Sequence, residues 1–263
     1  MFNFIARLSI VKRILPIVAA VLVLKISVYM NGWEYLSLNP LFSSLIAATI
    51  FIIGFLISGI LSDYKESEKL PGELATSIEA IFDEIQILYL KKKPAEAILA
   101  MNRLVDLAQS IKKWFYKEER TFVVYAKISG MNDVFAKTEP LMEPPFANRM
   151  KQEQTAVRKA ITRIHTIRET EFVTSAYLIA EILSIFLVAG LVFVKIGPFY
   201  ESLFFVTLVT FLVVYLLKLI KELDNPFDYS PGEVQGDHVS LKPFLDTVDR
   251  LGKNVGEISS EGG

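Results

Sequence analysis

The sequence contains no cysteine and only two histidines, His165 and His238. Without cysteine, the chain forms no disulfide, no zinc–thiolate site and no thiol nucleophile. Two histidines are too few for a histidine-based metal centre, so we expect neither a metal ion nor a cofactor. The formal net charge is −1. That near-neutral balance gives no sign of a nucleic-acid partner.

Catalytic motifs are missing as well. The sequence has no glycine-rich phosphate loop, no HExxH pair and no GxSxG segment, which are short patterns typical of phosphate binding, metalloproteases and serine hydrolases. The ionisable residues close to the apolar segments are single and do not form clusters of His, Asp or Glu. The sequence therefore argues against an enzyme.

What the chain has in excess is apolar side chains. They make up 52% of its 263 residues, and the mean hydropathy is +0.40, whereas a soluble domain has about 45–50% apolar residues. Spanning a bilayer core takes roughly 20 apolar helical residues. Four segments meet or approach that length: residues 14–30, 41–61, 172–194 and 203–220. We therefore predict a membrane protein with four transmembrane helices in a lipid bilayer.

The spacing of these spans divides the chain into four parts. Short connections pair the first span with the second and the third with the fourth, so residues 1–62 and 172–221 are each predicted to hold an antiparallel hairpin. Residues 63–171 form a polar region between the hairpins, and residues 222–263 form a tail. A cleaved signal peptide is the alternative interpretation of the first span. Its apolar stretch is long for that purpose, and no small-x-small cleavage site follows it.

Lysine and arginine residues near the spans predict the orientation. They concentrate at the N-terminus, in the polar region and after the fourth span: Arg7, Lys12, Arg13, Lys65, Lys69, Arg163, Arg168, Lys218 and Lys221. The first short connection has neither residue type, and the second has only Lys195. By the positive-inside rule, both termini and the polar region are expected in the cytoplasm, in a multi-pass protein of the cell membrane.

The polar region shows a helical period. Apolar residues at steps of three and four predict helices over residues 73–93 and 94–119. Residues 129–149 contain prolines and are predicted to be a loop. A long helix over residues 149–171 is predicted to continue into the third span, and residues 252–263 are predicted to be disordered. No segment of useful length alternates like a strand, so the fold class is predicted to be all-α, with a helical cytoplasmic region.

Two ionisable residues, Lys25 and Glu181, lie well inside predicted spans. Such residues generally face the interior of a helix bundle or water, because exposing a charge to lipid costs several kcal/mol. One interpretation is an ion pathway or a charge relay. The alternatives are a Lys25–Glu181 pair that ties the first span to the third, or a lysine that snorkels to the near interface.

The second span carries a stripe at steps of three and four residues that is small or polar at both ends and bulky in the middle. Its members are Ser44, Ala47, Phe51, Phe55, Ser58 and Ser62. Copies of this helix around an axis would form a pore wetted by hydroxyl groups and narrowed by phenylalanine rings, and such a constriction gates by dewetting. The alternative is that the rings merely pack, while Gly54, Ser58 and Gly59 allow close helix contact.

The stretch FIIGFLISGILSDYKESEKLP resembles the second transmembrane helix of bestrophins, ion channels that assemble as pentamers. The matching residues, in order, are Phe51, Gly54, Phe55, Tyr64, Leu70 and Pro71. After the fourth span, LDNPFDYSPGE resembles the Asn-Pro-Phe-Gly segment of the same family through Asn225, Pro226 and Phe227. The order of hairpins, helical middle and cytoplasmic ends agrees with that family too.

The resemblance implies a homopentamer that passes small inorganic ions, with chloride or other anions favoured over cations. It implies a pore neck at Phe51 and Phe55, with the third neck position on the smaller Ala47. The pore-lining hydroxyls would be Ser44, Ser58 and Ser62, and Asp63, Lys65 and Glu66 would lie at the inner mouth. Family members that bind calcium do so through acidic residues directly after the tail motif; here that run is broken, so no calcium site is expected. The tail would wrap a neighbouring subunit.

Further candidates lie on the predicted helix over residues 149–171, which the resemblance makes a lining of the cytoplasmic vestibule. Its arginines, Arg158, Arg163 and Arg168, either attract anions or are ordinary solvated or salt-bridged residues. Two other functions stay open: a non-conducting scaffold or sensor that acts through its cytoplasmic helices, and a membrane enzyme or transporter that uses Lys25 and Glu181.

Overall fold

The computed structural model describes residues 2–169, 174–229 and 238–261. These described residues form nine α-helices, one short 3₁₀ turn and two short strands. They separate into two compact units. The membrane unit contains residues 2–64, 174–226 and 238, and the helical unit contains residues 65–169, 227–229 and 239–261.

The membrane unit is built from the apolar segments of the sequence. It contains α1 (Phe2–Met30), β1 (Leu36–Ser37), most of α2 (Pro40–Ser67), α7 (Thr174–Phe193), β2 (Val194–Lys195) and α8 (Phe199–Asp224). The Asn39 side chain caps the start of α2 by accepting a hydrogen bond from the amide of Phe42 at 2.9 Å. Among the described residues, four helices are long and apolar enough to cross a membrane, which confirms the predicted number of spans.

Aliphatic side chains from all four of these helices form the core of the membrane unit. α1 packs chiefly against α8 and α7, so the first hairpin is more open than a pair of adjacent antiparallel helices. α2 and α7 approach closely at Gly190, where an added Cβ atom would lie 2.6 Å from the ring of Phe42. β1 pairs with β2 in parallel, with Leu36 opposite Val194. This two-residue pair was not predicted, because such short strands leave no alternation to detect.

The helical unit consists of α3 (Leu70–Lys92), α4 (Ala95–Phe115), α5 (Thr121–Thr138), a 3₁₀ turn (Glu139–Leu141), α6 (Pro144–Glu169) and α9 (Lys242–Glu261). Lys93 has a left-handed φ of 48° and ends α3, and Pro94 directly precedes α4. The apolar residues at steps of three and four, from which the helix over residues 73–93 was predicted, are all buried in α3: Leu74, Ile78, Ile81, Ile85 and Leu88. The predicted all-α fold class is therefore confirmed.

The loop predicted over residues 129–149 is wrong. α5 continues to Thr138, and α6 already begins at Pro144. The prolines stand at the beginnings of helical segments, where a missing N–H group costs nothing, and α5 has its own buried stripe that includes Ile128, Met131 and Phe135. The predicted continuation of α6 into the third span involves residues 170–173, which lie outside the described residues.

The disorder predicted for residues 252–263 is also wrong for the described part, because α9 extends to Glu261. Phe244, Val248, Leu251 and Val255 form a buried stripe at steps of three and four, and α9 packs against α3 and α4 of its own chain. The high content of glycine and polar residues masked this period. The contact of the tail with a neighbouring subunit stays a prediction.

Replacing Phe244 by Ala tests the packing of α9. Phe244 is fully buried, and removing a buried phenylalanine ring costs about 3–5 kcal/mol. We expect a clear fall in the unfolding temperature of the detergent-purified protein, followed by the fluorescence of the buried Trp114. The control, Lys253→Ala, changes an exposed residue of the same helix and should shift stability by about 0.5 kcal/mol at most. Equal unfolding temperatures for the two variants would contradict this packing.

Candidate functional site: the exposed face of α2

α2 has two different sides within the membrane unit. Thr49, Ile53, Leu56 and Ile60 are buried against the core, with at most 4% of each residue exposed. On the other side, Phe51 and Phe55 are each 73% exposed. The two rings therefore do not pack inside their own subunit.

All members of the predicted stripe are exposed: Ser44, Ala47, Phe51, Phe55, Ser58 and Ser62. At 3.6 residues per turn, they lie within about 40° of the direction of Phe51. Gly54 belongs to the same face, and a Cβ atom added there would meet nothing within 4 Å. The stripe is thus a continuous open strip along one side of α2.

The composition of this strip differs from that of the other exposed membrane surfaces. α1, α7 and α8 expose large apolar side chains, among them Leu15, Val23, Leu178, Ile185, Phe186, Phe204 and Leu208. Large apolar side chains suit contact with lipid tails. The strip on α2 instead combines hydroxyl and small residues with the two rings, and its exposed aliphatic neighbours Leu41, Ile50 and Leu61 lie about 80–100° away around the helix.

The hydroxyl groups of the strip suit weak contacts with water or ions. Ser44 Oγ donates to the carbonyl oxygen of Pro40 at 2.8 Å. This bond satisfies the donor and leaves lone pairs free to accept hydrogen bonds from water. The serine therefore tolerates an apolar surrounding and can also accept hydrogen bonds from water in a pore. The phenylalanine rings, about two and three turns further along α2, cannot.

The residues predicted at the inner mouth lie at the end of α2. Lys65 and Glu66 are exposed and Asp63 is half-buried. Glu66 accepts two hydrogen bonds from the guanidinium of Arg163 on α6, Nε to Oε1 at 2.9 Å and Nη2 to Oε2 at 2.7 Å. This bidentate pair neutralises the Glu66 carboxylate locally.

The arginines of α6 are all engaged by neighbouring groups in the helical unit. Arg158 donates to Ser129 Oγ at 3.1 Å, and Arg163 pairs with Glu66. Arg168 donates to the carbonyl oxygen of Trp114 at 3.2 Å and lies over its ring, and burial lowers the pKa of Arg168 from its ordinary value. Of the two interpretations of these residues, the structure supports ordinary structural contacts.

Lys25 is fully buried near the C-terminal end of α1. Its ammonium group donates to Glu34 Oε1 at 2.7 Å, to the carbonyl oxygen of Val194 at 2.6 Å and to that of Val192 at 3.3 Å. The predicted Lys25–Glu181 pair is therefore wrong, and so is the snorkelling alternative. Val192 lies at the level of Lys25, whereas Glu181 lies about 16 Å earlier along α7, at 1.5 Å per residue.

Glu181 has a different partner. Its Oε1 accepts a hydrogen bond from Lys221 Nζ on α8 at 3.0 Å, and both side chains are partly exposed. Lys221 Nζ also lies 4.9 Å from the centre of the Tyr177 ring. The two intramembrane charges thus belong to separate ion pairs at opposite ends of the spans.

The tail motif is divided between the two units, with Asn225 and Pro226 following α8 and Phe227 in the helical unit. Phe227 is fully buried, and its ring centre lies 6.2 Å from that of Phe115. Asp228 forms an ion pair with Lys117. The motif therefore anchors the chain in an aromatic cluster, whose members on α4 and α9 were not predicted because nothing in their local pattern marks a contact with residue 227.

No group of three or more His, Cys, Asp or Glu side chains is placed to hold a metal ion in the described part of the chain. The segment that decides the calcium prediction contains Glu233 and Asp237, and residues 230–237 lie outside the description. The absence of a calcium site therefore stays a prediction.

Replacing Glu181 by Gln tests whether this residue carries a charge relay. The Glu181–Lys221 pair is partly exposed, and such pairs contribute about 0–1 kcal/mol. We expect Glu181→Gln to change the unfolding temperature little and to leave any transport activity intact. Loss of activity in a stable, assembled Glu181→Gln protein would instead support the transporter alternative.

No protein-family model matches the chain, and no curated protein matches it. Solved structures do match. A singly mutated bacterial bestrophin homologue from Klebsiella pneumoniae has a TM-score of 0.75 at 16% sequence identity, over 94% of this chain and 98% of that chain. Another structure of a bestrophin homologue from the same organism has a TM-score of 0.74 at 16% identity, over 94% of this chain and 98% of that chain.

At this level of identity, the likeness establishes the fold. The resemblance predicted from the Phe-x-x-Gly-Phe and Asn-Pro-Phe segments is therefore confirmed at the level of the fold, over nearly the whole chain. Together with the four apolar helices, it supports a multi-pass membrane protein. The chain has the fold of the bacterial bestrophin homologues.

Proposed function

We propose that the protein is an ion channel in which several copies, five by the family resemblance, arrange α2 around a central pore. The observation that carries the proposal is the 73% exposure of both Phe51 and Phe55 on a helix whose opposite side is buried. A closed ring of identical subunits places this strip on the axis in every copy. The phenylalanine rings then form the neck, and Ser44 and Ser58 wet the pore on either side.

The neck acts as a hydrophobic gate in this account. Rings of phenylalanine side chains exclude water from a narrow passage, which stops ions because they would lose their hydration. Ala47, one turn before Phe51, leaves the outer end of the neck wide. Small monovalent ions pass when the rings move apart enough for water to fill the passage.

The preference for anions such as chloride rests on the family resemblance. The charges at the inner end of α2 nearly balance: Arg163 pairs with Glu66, Lys65, Glu68 and Lys69 are exposed, and Asp63 is half-buried. If Lys65 and Lys69 face the axis in each copy, they would attract anions to the mouth. The distribution of lysine and arginine along the sequence supports cytoplasmic termini and a cytoplasmic helical unit, so this mouth would face the cytoplasm.

Cysteine labelling tests the pore directly, because the natural chain has no cysteine. We expect Ser44→Cys and Ser58→Cys in liposomes to react rapidly with a charged, water-soluble thiol reagent. Thr49→Cys and Ile53→Cys on the buried side of α2 are the matched controls and should react slowly. Slow reaction at all of these positions would contradict a water-filled pore along α2 and support the scaffold or sensor function.

Replacing both neck residues by alanine tests the gate. Lowering a barrier by about 1.4 kcal/mol raises a rate about tenfold. We expect the chloride flux through the Phe51→Ala/Phe55→Ala protein to be at least about tenfold higher than through the unchanged protein. The matched control is Phe186→Ala/Phe204→Ala, which removes exposed rings from α7 and α8 and should leave the flux unchanged. Equal flux in the neck variant and the control would place the gate elsewhere.

A further inference from the structure

We propose that Lys25 is a positioning residue of the pore: its buried ammonium group fixes the place where α2 begins, and so sets the outer mouth. The proposal rests on the channel function proposed above. It assigns to Lys25 a role different from an ion pathway or a charge relay.

The contacts of Lys25 use its whole donor capacity. The ammonium group has three N–H donors, and it has three acceptors, Glu34 Oε1 and the carbonyl oxygens of Val192 and Val194. These two carbonyls belong to the end of α7 and to the strand that follows it, where carbonyl groups lack partners within the helix. A cation is also favoured at a helix C-terminus. One side chain from α1 therefore holds both α7 and the connection that precedes α2.

The path from this contact to α2 is short. Glu34 is followed closely by β1, which pairs with β2 directly beside the Val194 carbonyl contact. Only Leu38 and Asn39 separate β1 from α2, and Asn39 caps the helix. Because these links are short, a shift of residues 34–37 should move the first turns of α2, which carry Ser44 and Ala47.

Because Lys25 is buried, removing its ammonium group should destabilise the connection that contains Glu34. Both partners are shielded from water, since the Lys25 side chain is 0% exposed and that of Glu34 is 12% exposed. Removing one member of a buried pair leaves the other without compensation. The Lys25→Met side chain has similar length but no donor, so it leaves the Glu34 carboxylate and the carbonyl of Val194 without their partner.

Hydrogen exchange of the purified, assembled protein tests whether Lys25 holds residues 33–39 in place. The measurement does not require that the protein conducts ions. We expect Lys25→Met to speed the exchange of amides in residues 33–39 roughly tenfold, because local opening becomes easier. The control is Lys195→Met, which removes an exposed positive charge on β2 near the same end of the membrane unit and should leave this exchange unchanged. Should Lys25→Met fail to fold, Glu34→Gln weakens the same contact and should raise the exchange in the same segment.

Labelling of Ser44→Cys and Ser58→Cys, each combined with the Lys25, Glu34 or Lys195 substitution, tests whether residues 33–39 set the outer mouth. With Lys25→Met or Glu34→Gln, we expect the reaction rate at Ser44→Cys to change several-fold and that at Ser58→Cys, further along α2, to stay the same. Lys195→Met should change neither rate. A change limited to the Lys25 and Glu34 variants separates positioning from the loss of a positive charge.

Two results would overturn the proposal. Exchange in residues 33–39 that matches the Lys195→Met control would show that Lys25 does not hold this connection. Faster exchange with an unchanged rate at Ser44→Cys would show that the connection does not set the outer mouth. If neither Ser44→Cys nor Ser58→Cys reacts while Lys25 is intact, the channel function fails instead, and the exchange measurement still decides whether Lys25 fixes the start of α2.

Discussion

The constraint on which the account depends is that α2 has one face that its own subunit does not cover. In a bilayer, such a face meets lipid, water or another protein chain. The faces of α1, α7 and α8 left uncovered carry large apolar side chains, which suit lipid. The face of α2 carries serine, alanine and glycine around two rings, and this composition suits a wetted passage with a narrow apolar neck.

The stretch of α2 from Ser44 to Ser62, which contains the exposed strip, carries no ionisable residue. Lys25 pairs with Glu34, and Glu181 pairs with Lys221. Glu66 is held by Arg163 in the helical unit. The proposed neck is therefore apolar, while the exposed charged residues Lys65, Glu68 and Lys69 lie at the end of α2 and just after it. In the proposed channel, ions would be selected at the mouth and the rings would form the gate.

The sequence was sufficient to predict the features that depend on period and composition. The number of spans and the exposed strip on α2 with Phe51 and Phe55 follow from such patterns, whereas the fold family came from the resemblance of two short motifs to known segments. Features that depend on distant neighbours were not predictable from the sequence. The partners of Lys25 were not among its three interpretations, because a carboxylate in a short connection and two backbone carbonyl groups carry no sequence signal of this contact. α9 was not predicted because glycines and charged residues hid its apolar stripe. The end of α5 was predicted to be a loop because prolines that begin helices resemble loop signals.

The most direct measurement of the central claim is a cryo-electron microscopy map of the assembled protein in lipid nanodiscs. The account predicts a closed ring of subunits, five by the family resemblance, in which α2 is the innermost helix. Phe51 and Phe55 of every subunit should point toward the symmetry axis and form its narrowest part. A map in which the two rings face lipid, or in which the protein forms no closed ring, would contradict the account.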